Sequence, residues 1–227
     1  MNTAIIVAAG TGSRFNSTKP KQFLDLSAKP VVIHALEAFA ASAAVDEIVL
    51  VLPADLIDEF VRMSRPFAIK KLRHIAAGGA TRAESVKCGF REASPTSRVA
   101  VIHDGARPLV SVAEIEATIR MAEEVGAACL TAPVTDTIKE IKGDRIVRTI
   151  DRAVLRRALT PQAFRYEILA EALGHTELTD AVTDECMLVE QIGYTVASVE
   201  GSTRNIKITH PEDLVLAEAL LDTGVAA

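Results

Sequence analysis

Residues Ala4-Ile5-Ile6-Val7-Ala8-Ala9 run directly into Gly10-Thr11-Gly12-Ser13-Arg14. A short apolar strand followed by a glycine loop puts bare backbone amides at a strand's carboxyl end, where open α/β sheets bind their ligands. Two better-known nucleotide motifs are excluded by reading the stretch through. A dinucleotide fingerprint needs a third glycine where Phe15 stands, and a P-loop needs a Gly-Lys-Ser/Thr ending that is missing. Arg14, Lys19 and Lys21 add three cations beside the glycines, with Pro20 fixing the backbone between the lysines. A triphosphate is the matching counter-charge. Taken alone, the segment also reads as an ordinary glycine turn with surface cations.

Outward from this stretch, β-rich runs at Ile48 to Leu52, Leu72 to Ala76, Val99 to His103 and Ala127 to Val134 alternate with helical patterns. Pro30 starts one helix with Val32, Leu36 and Phe39 on its apolar face, and Pro53 starts another that runs to about Met63. Ser85 to Glu92 and Val112 to Val125 read as further covering helices, with Gly126 as a stop. The alternation predicts an α/β fold with a mostly parallel sheet, in a single domain over residues 1–227.

The rhythm changes after Pro133. Thr137 to Ile141 and Arg145 to Ile150 alternate around Lys142-Gly143-Asp144, which predicts a β-hairpin within an arm from about 135 to 152. Ile138, Ile141, Ile146 and Ile150 need cover that two strands cannot supply, from a partner chain or from the same subunit. Downstream the pattern predicts a short helix near Val154 to Ala158, helices near Phe164 to Leu173 and Asp184 to Ile192, strands near Thr195 to Val199 and Ile206 to Thr209, and a last helix after Pro211.

Composition narrows the function. A net charge of -5 without a long basic run argues against a nucleic-acid groove. No window approaches the roughly 20 apolar residues of a membrane span, so a cytoplasmic protein without membrane or nucleic-acid partners is expected. Cys88, Cys129 and Cys186 are odd in number and far apart, which favours reduced structural thiols, and the histidines lack ligand spacing for zinc.

Three further clusters accompany the first loop. Gly78-Gly79-Ala80-Thr81-Arg82 and His103-Asp104-Gly105-Ala106-Arg107-Pro108 both follow strands, on the same expected ligand face. Asp104 suits a ribose hydroxyl or a metal and Arg107 a phosphate, unless the two form only an exposed salt bridge. Later, Thr183-Asp184-Glu185 reads as a polar helix start or cap, and Lys207 between Ile206 and Ile208 needs an anion or solvent.

In order, Ala8 to Arg14, Pro20-Lys21-Gln22, Gly78 to Val86, His103 to Pro108, Asp151-Arg152, Leu159-Thr160-Pro161-Gln162, Thr183-Asp184-Glu185 and Asn205-Ile206-Lys207 span almost the whole chain. Together they resemble the family of CTP-dependent cytidylyltransferases that act on 2-C-methyl-D-erythritol 4-phosphate in non-mevalonate isoprenoid synthesis. The resemblance implies a Rossmann-like nucleotidyltransferase sheet with a projecting β-hairpin arm. It assigns Ala8, Ala9, Gly10, Gly12, Gly79, Ala80, Arg82, Ser85, Asp104, Gly105 and Arg107 to the nucleotide. It assigns Arg14 and Lys21 to charge on the attacked phosphate, and Lys207 to the reacting phosphates. It further implies a homodimer built through the arm, with Thr137 and Arg152 reaching the acceptor in the partner subunit, where Thr160, Thr183 and Lys207 also bind it. Arg152 is counted with Arg14, Lys21 and Lys207 in the catalytic set. Phe15 and Cys186 depart from the pattern, which has methionine and alanine there, and neither departure removes a needed charge.

Such a set suits the chemistry. A phosphate monoester whose second pKa is about 6 is already a nucleophile at neutral pH, so no general base is required. The difficulty lies in bringing one anion against another, which cations and a magnesium ion held mainly by the CTP phosphates would offset. Rival readings are the same transfer to ribitol 5-phosphate, a non-catalytic nucleotide sensor, and a nicotinamide oxidoreductase, the last of which fails at Phe15.

Overall fold

The computed structural model describes residues 1–10, 15, 20–175 and 181–223. In chain order the elements are β1 (Asn2–Val7), β2 (Asp25–Leu26), β3 (Lys29–Pro30), α1 (Val31–Ala41), β4 (Glu47–Leu52), α2 (Ile57–Ser64), β5 (Leu72–Ala77), α3 (Arg82–Glu92) and β6 (Val99–Asp104). They continue with α4 (Val112–Val125), β7 (Ala127–Pro133), β8 (Ile138–Lys142), β9 (Arg145–Ile150), β10 (Arg156–Arg165), α5 (Tyr166–His175), α6 (Glu185–Gln191), β11 (Ala197–Glu200) and α7 (Pro211–Asp222).

Among the described residues, seven strands form one sheet in the order β11-β7-β10-β6-β1-β4-β5. Pairing is parallel except at β10, which runs antiparallel to both β6 and β7. The apolar run of β1 lies at its centre, and its residues alternate between the two faces. Ala4 and Ile6 pack with Val32, Leu36 and Phe39 of α1 and Ile115 and Ile119 of α4. Ile5 and Val7 pack with Val86 and Phe90 of α3 and Leu169 and Leu173 of α5. Burial on both faces is why these strands read as continuous apolar runs.

After β1 the chain builds outward through β4 to β5 and then returns to place β6 on the other side of β1. That reversal opens a crevice at the carboxyl ends of β1 and β6, between Gly10 and Asp104. The chain packs tightly there. A Cβ on Gly105 would stand 2.9 Å from that of Ala8, and one on Gly78 2.4 Å from that of Ala9. Helix starts are fixed by capping boxes, Thr81 with Glu84 on α3 and Ser111 with Glu114 on α4, and Gly126 at φ 102° ends α4 as expected.

Two expectations fail. Residues 154–158 do not form a helix: a short 3-10 turn at Arg152–Val154 leads into β10. Pro161 hides this strand, because proline is not expected in the middle of a sheet. It is accommodated where the β10–β7 pairing skips between Ala158 and Gln162. Nor is 206–209 a strand; its Ile208 N–H donates to the Ala106 carbonyl at 2.8 Å without a strand ladder forming among the described residues.

Strands β8 and β9 form the expected hairpin as a separate sheet. Its own subunit leaves Ile141 and Ile146 about two-thirds exposed, at 66% and 65%, so same-chain packing does not cover them. No helix among the described residues is long and apolar enough to cross a membrane.

Candidate active site

A cleft of about 570 Å³ opens at the crevice. One wall is the backbone of Ala8, Ala9 and Gly10; Gly79, Ala80, Arg82 and Ser85, where α3 begins, and Lys21, Asp104 and Lys207 complete the lining. The N-terminus of α3 offers amides and the positive end of a helix dipole to an anion. Gln22 shapes the first wall: its buried amide donates to the Ala8 carbonyl at 2.8 Å.

Asp104 organises the charge. Its Oδ1 accepts from Arg82 Nε at 3.0 Å, and its Oδ2 lies 2.9 Å from Lys207 Nζ and 3.4 Å from Arg107 Nε. Burial alone would push the carboxyl up, but Arg82, Lys207 and Arg107 outweigh it and hold it well below the usual carboxylate range. The exposed salt bridge weighed from sequence is therefore a buried cluster.

Arg82 also donates through Nη1 to both oxygens of Glu185, at 2.7 and 2.9 Å. Burial disfavours its charge, but Glu185 and Asp104 more than compensate and raise its affinity for the proton. Burial likewise pushes the Glu185 carboxyl up, against the pull of Arg82.

Behind the cluster, Thr160 Oγ1 accepts from the Asp104 N–H at 3.1 Å and donates to His103 Nδ1 at 3.0 Å. His103 Nε2–H donates to the Arg107 carbonyl at 3.1 Å, which sets the tautomer. Burial lowers the His103 pKa to about 4, so the ring is neutral at pH 7. Arg107 Nη1 reaches the Asn205 carbonyl at 2.8 Å, and Asn205 Nδ2 the Thr160 carbonyl at 2.9 Å. The segment carrying Lys207 is thereby tied to β6 and β10.

The fold thus gathers Ala8, Ala9, Gly10, Gly79, Ala80, Arg82, Ser85, Lys21, Asp104 and Lys207 around one space. Gly105, Arg107 and Thr160 stand behind it; Arg107 and Thr160 are buried there as supports. Gly12, Arg14 and Lys19 lie outside the described residues. Thr183 is exposed just before α6 and Asp184 is the helix cap, accepting from Met187 N–H at 3.0 Å. Thr137 and Arg152 are exposed on or beside the arm and do not line the cleft of their own chain.

Sequence reading missed Glu185, Gln162, Asn205 and His103 as parts of the site. A usable signal existed for Glu185, which shares a helix face with Leu188 and Val189, and a carboxylate on an apolar face requires a cation. The Asp104 oxygens are taken by cations. Among the described residues no group of three or more His, Cys, Asp or Glu side chains comes together to hold a metal.

Comparison with known proteins agrees over nearly the full length. The sequence pattern of the family described as 2-C-methyl-D-erythritol 4-phosphate cytidylyltransferase matches residues 2–223. A protein of that name from Alkaliphilus oremlandii is 40% identical over 226 residues, covering 97% of this chain and 95% of its own. One from Bacillus velezensis is 41% identical over 219 residues, covering 96% and 94%. Among solved structures, a 4-diphosphocytidyl-2C-methyl-D-erythritol synthase from Anaerococcus prevotii superposes with a TM-score of 0.85 at 29% identity, covering 97% of this chain and 96% of that one. A 2-C-methyl-D-erythritol 4-phosphate cytidylyltransferase from Thermus thermophilus gives a TM-score of 0.76 at 32% identity, covering 96% and 98%.

Proposed function

The chain belongs to the 2-C-methyl-D-erythritol 4-phosphate cytidylyltransferase family, and we propose that its cleft joins CTP to the acceptor phosphate by charge stabilisation alone. The enzyme transfers the cytidylyl group of CTP to 2-C-methyl-D-erythritol 4-phosphate. In the proposed step an acceptor phosphate oxygen forms a bond to the α-phosphorus in line with the departing group. The bond from that phosphorus to the bridging oxygen breaks, and pyrophosphate leaves with the electron pair.

The convergence of Lys21, Lys207 and Arg82 on one space at the sheet's switch point carries this reading. The nucleotide lies between the Ala8 to Gly10 backbone and the start of α3, where amides and the helix dipole meet its phosphates. Lys21 and Lys207, with Arg14 from the first loop, offset the repulsion between two anions and the charge that develops on the attacked phosphate. Asp104 keeps Lys207, Arg82 and Arg107 together at short range before substrate arrives, so little reorganisation remains for the reaction. Magnesium belongs to this reading as part of the substrate, the magnesium complex of CTP, rather than as a protein-held ion.

The acceptor side is completed by a second copy. The arm exposes Ile141, Ile146 and Val147, an apolar surface suited to burial against another chain. In that homodimer Thr137 and Arg152 enter the cleft of the partner subunit beside its acceptor, while Thr183 closes the acceptor site from its own chain. A cytoplasmic location is part of the same reading, and the unbridged Cys88, Cys129 and Cys186 suit a reducing compartment.

Incubation with CTP, magnesium and either 2-C-methyl-D-erythritol 4-phosphate or ribitol 5-phosphate tests the reaction. A CDP-methylerythritol product by mass with equimolar pyrophosphate is expected; a CDP-ribitol product alone, or nucleotide binding without pyrophosphate release, would refute it.

A further inference from the structure

Glu185 is fully buried at the first residue of α6, and no step proposed above uses it. Contacts other than Arg82 hold it in place. Its backbone N–H donates to Gln162 Oε1 at 3.2 Å, and Gln162 Nε2 donates to Asp184 Oδ2, the cap of the same helix, at 3.1 Å. Glu185 is thus held from β10 and from the cap, independently of Arg82.

Arg82 depends on that support. The Asp104 carboxylate that receives its Nε is shared with Arg107 and Lys207. Without Glu185 the long side chain would keep one divided contact and regain rotamer freedom. With it, Nε and Nη1 are each anchored and the guanidinium plane is fixed. The two Nη2 hydrogens find no partner among the described residues, and the side chain, 25% exposed, lines the cleft.

We propose that Glu185 is a positioning residue that holds Arg82 in place so that its remaining N–H edge serves the bound nucleotide. This rests on reading the cleft as the CTP site. A carboxylate is required because a glutamine of the same shape offers a single acceptor oxygen and directs two hydrogens of its own toward other groups. The support matters to nucleotide binding rather than to the acceptor, so it acts on one Michaelis constant and not the other.

The test is steady-state kinetics, varying each substrate in turn, on the full-length enzyme and on E185Q, E185D, R82K and R82K/E185Q, with thermal unfolding of the same samples. E185Q is expected to raise KM for CTP by roughly tenfold, the loss of about one charge-assisted contact. Its kcat should change by less than about threefold and its acceptor KM should be unmoved. E185D should fall between it and the wild type, and R82K/E185Q should be no worse than the poorer single variant. Folded E185Q with a wild-type KM for CTP, or additive effects in the double variant, would overturn the proposal, since a merely structural Glu185 lowers Tm alone. Should E185Q not fold, E185D decides: a wild-type KM for CTP there has the same force. If R82K and E185Q both leave that KM unchanged in an active enzyme, the positioning role fails while the CTP site stands. A wild-type protein that makes no CDP product instead removes the reading on which the role rests.

Discussion

Lys207 Nζ lies 2.9 Å from Asp104 Oδ2, joining a loop after β11 to the end of β6. Arg82 and Arg107 converge on the same carboxylate, so the site's cations are arranged around an anion the protein supplies. Removing that anion leaves like charges facing one another in a poorly solvated place. Asp104→Asn is expected to destabilise the fold by about 3–5 kcal/mol, the range for one partner lost from a buried pair. Urea unfolding of the purified variant measures it; a loss below about 1 kcal/mol would mean that the cluster is held by other contacts.

Lys21→Ala tests the charge-stabilisation chemistry. Lys21 lines the cleft and its Nζ donates to the Ile208 carbonyl at 3.1 Å. Folding should persist while turnover falls on the order of 10²- to 10³-fold, as for deletion of a preorganised donor. Single-turnover rates with an unfolding curve check both halves, and near-normal turnover would remove Lys21 from the mechanism.

Buried His103 gives the fold a specific acid sensitivity. Its folded pKa of about 4 lies below the ordinary histidine value of about 6.5, so between those values the unfolded chain binds the proton more readily. Stability is therefore complete above about pH 6.5 and falls as pH drops toward 4, by about 3 kcal/mol from this group. Asp104, whose carboxyl is depressed, adds to the loss only below its unfolded value, near pH 4. The raised carboxyl of Glu185 acts in the opposite sense above its own unfolded value. The difference between wild type and His103→Gln isolates the histidine: the wild type should show the steeper decline, and parallel curves would show that the ring is not held neutral.

The homodimer proposed above links assembly to activity, and the arm is where that link can be tested. Ile146→Asp places a charge in the centre of the exposed hairpin surface, on a residue paired with Ile141. Sedimentation should show a dimer for the wild type and a monomer for the variant. On the proposal that Thr137 and Arg152 serve a second cleft, turnover should fall by at least about tenfold, the 1.4 kcal/mol that one such contact represents. A wild-type monomer with full activity would refute the shared site.

Much of this protein was legible in one dimension, for identifiable reasons. Strands buried on both faces appear as unbroken apolar runs, capping boxes and glycine stops are local signals, and ligand loops follow strand ends in sequence. Gly10, Lys21, the Gly79 to Ser85 segment and Asp104, which the fold brings to one cleft, could therefore be picked out from the sequence. Long-range partnership could not. Pro161 obscured β10, since only the pairing skip against β7 lets a proline sit between central strands. Whether Asp104 and Arg107 formed an exposed bridge or a buried cluster depended on Arg82 and Lys207 arriving from distant segments. Glu185 looked like a helix start until α6 packed its carboxylate against Arg82. Local sequence set what each segment offers, namely amides, charges and turns. Which charges share a dielectric environment, and so which of them act on one another, was decided only when the sheet's reversal brought the ends of β1 and β6 and the loop of Lys207 to one place.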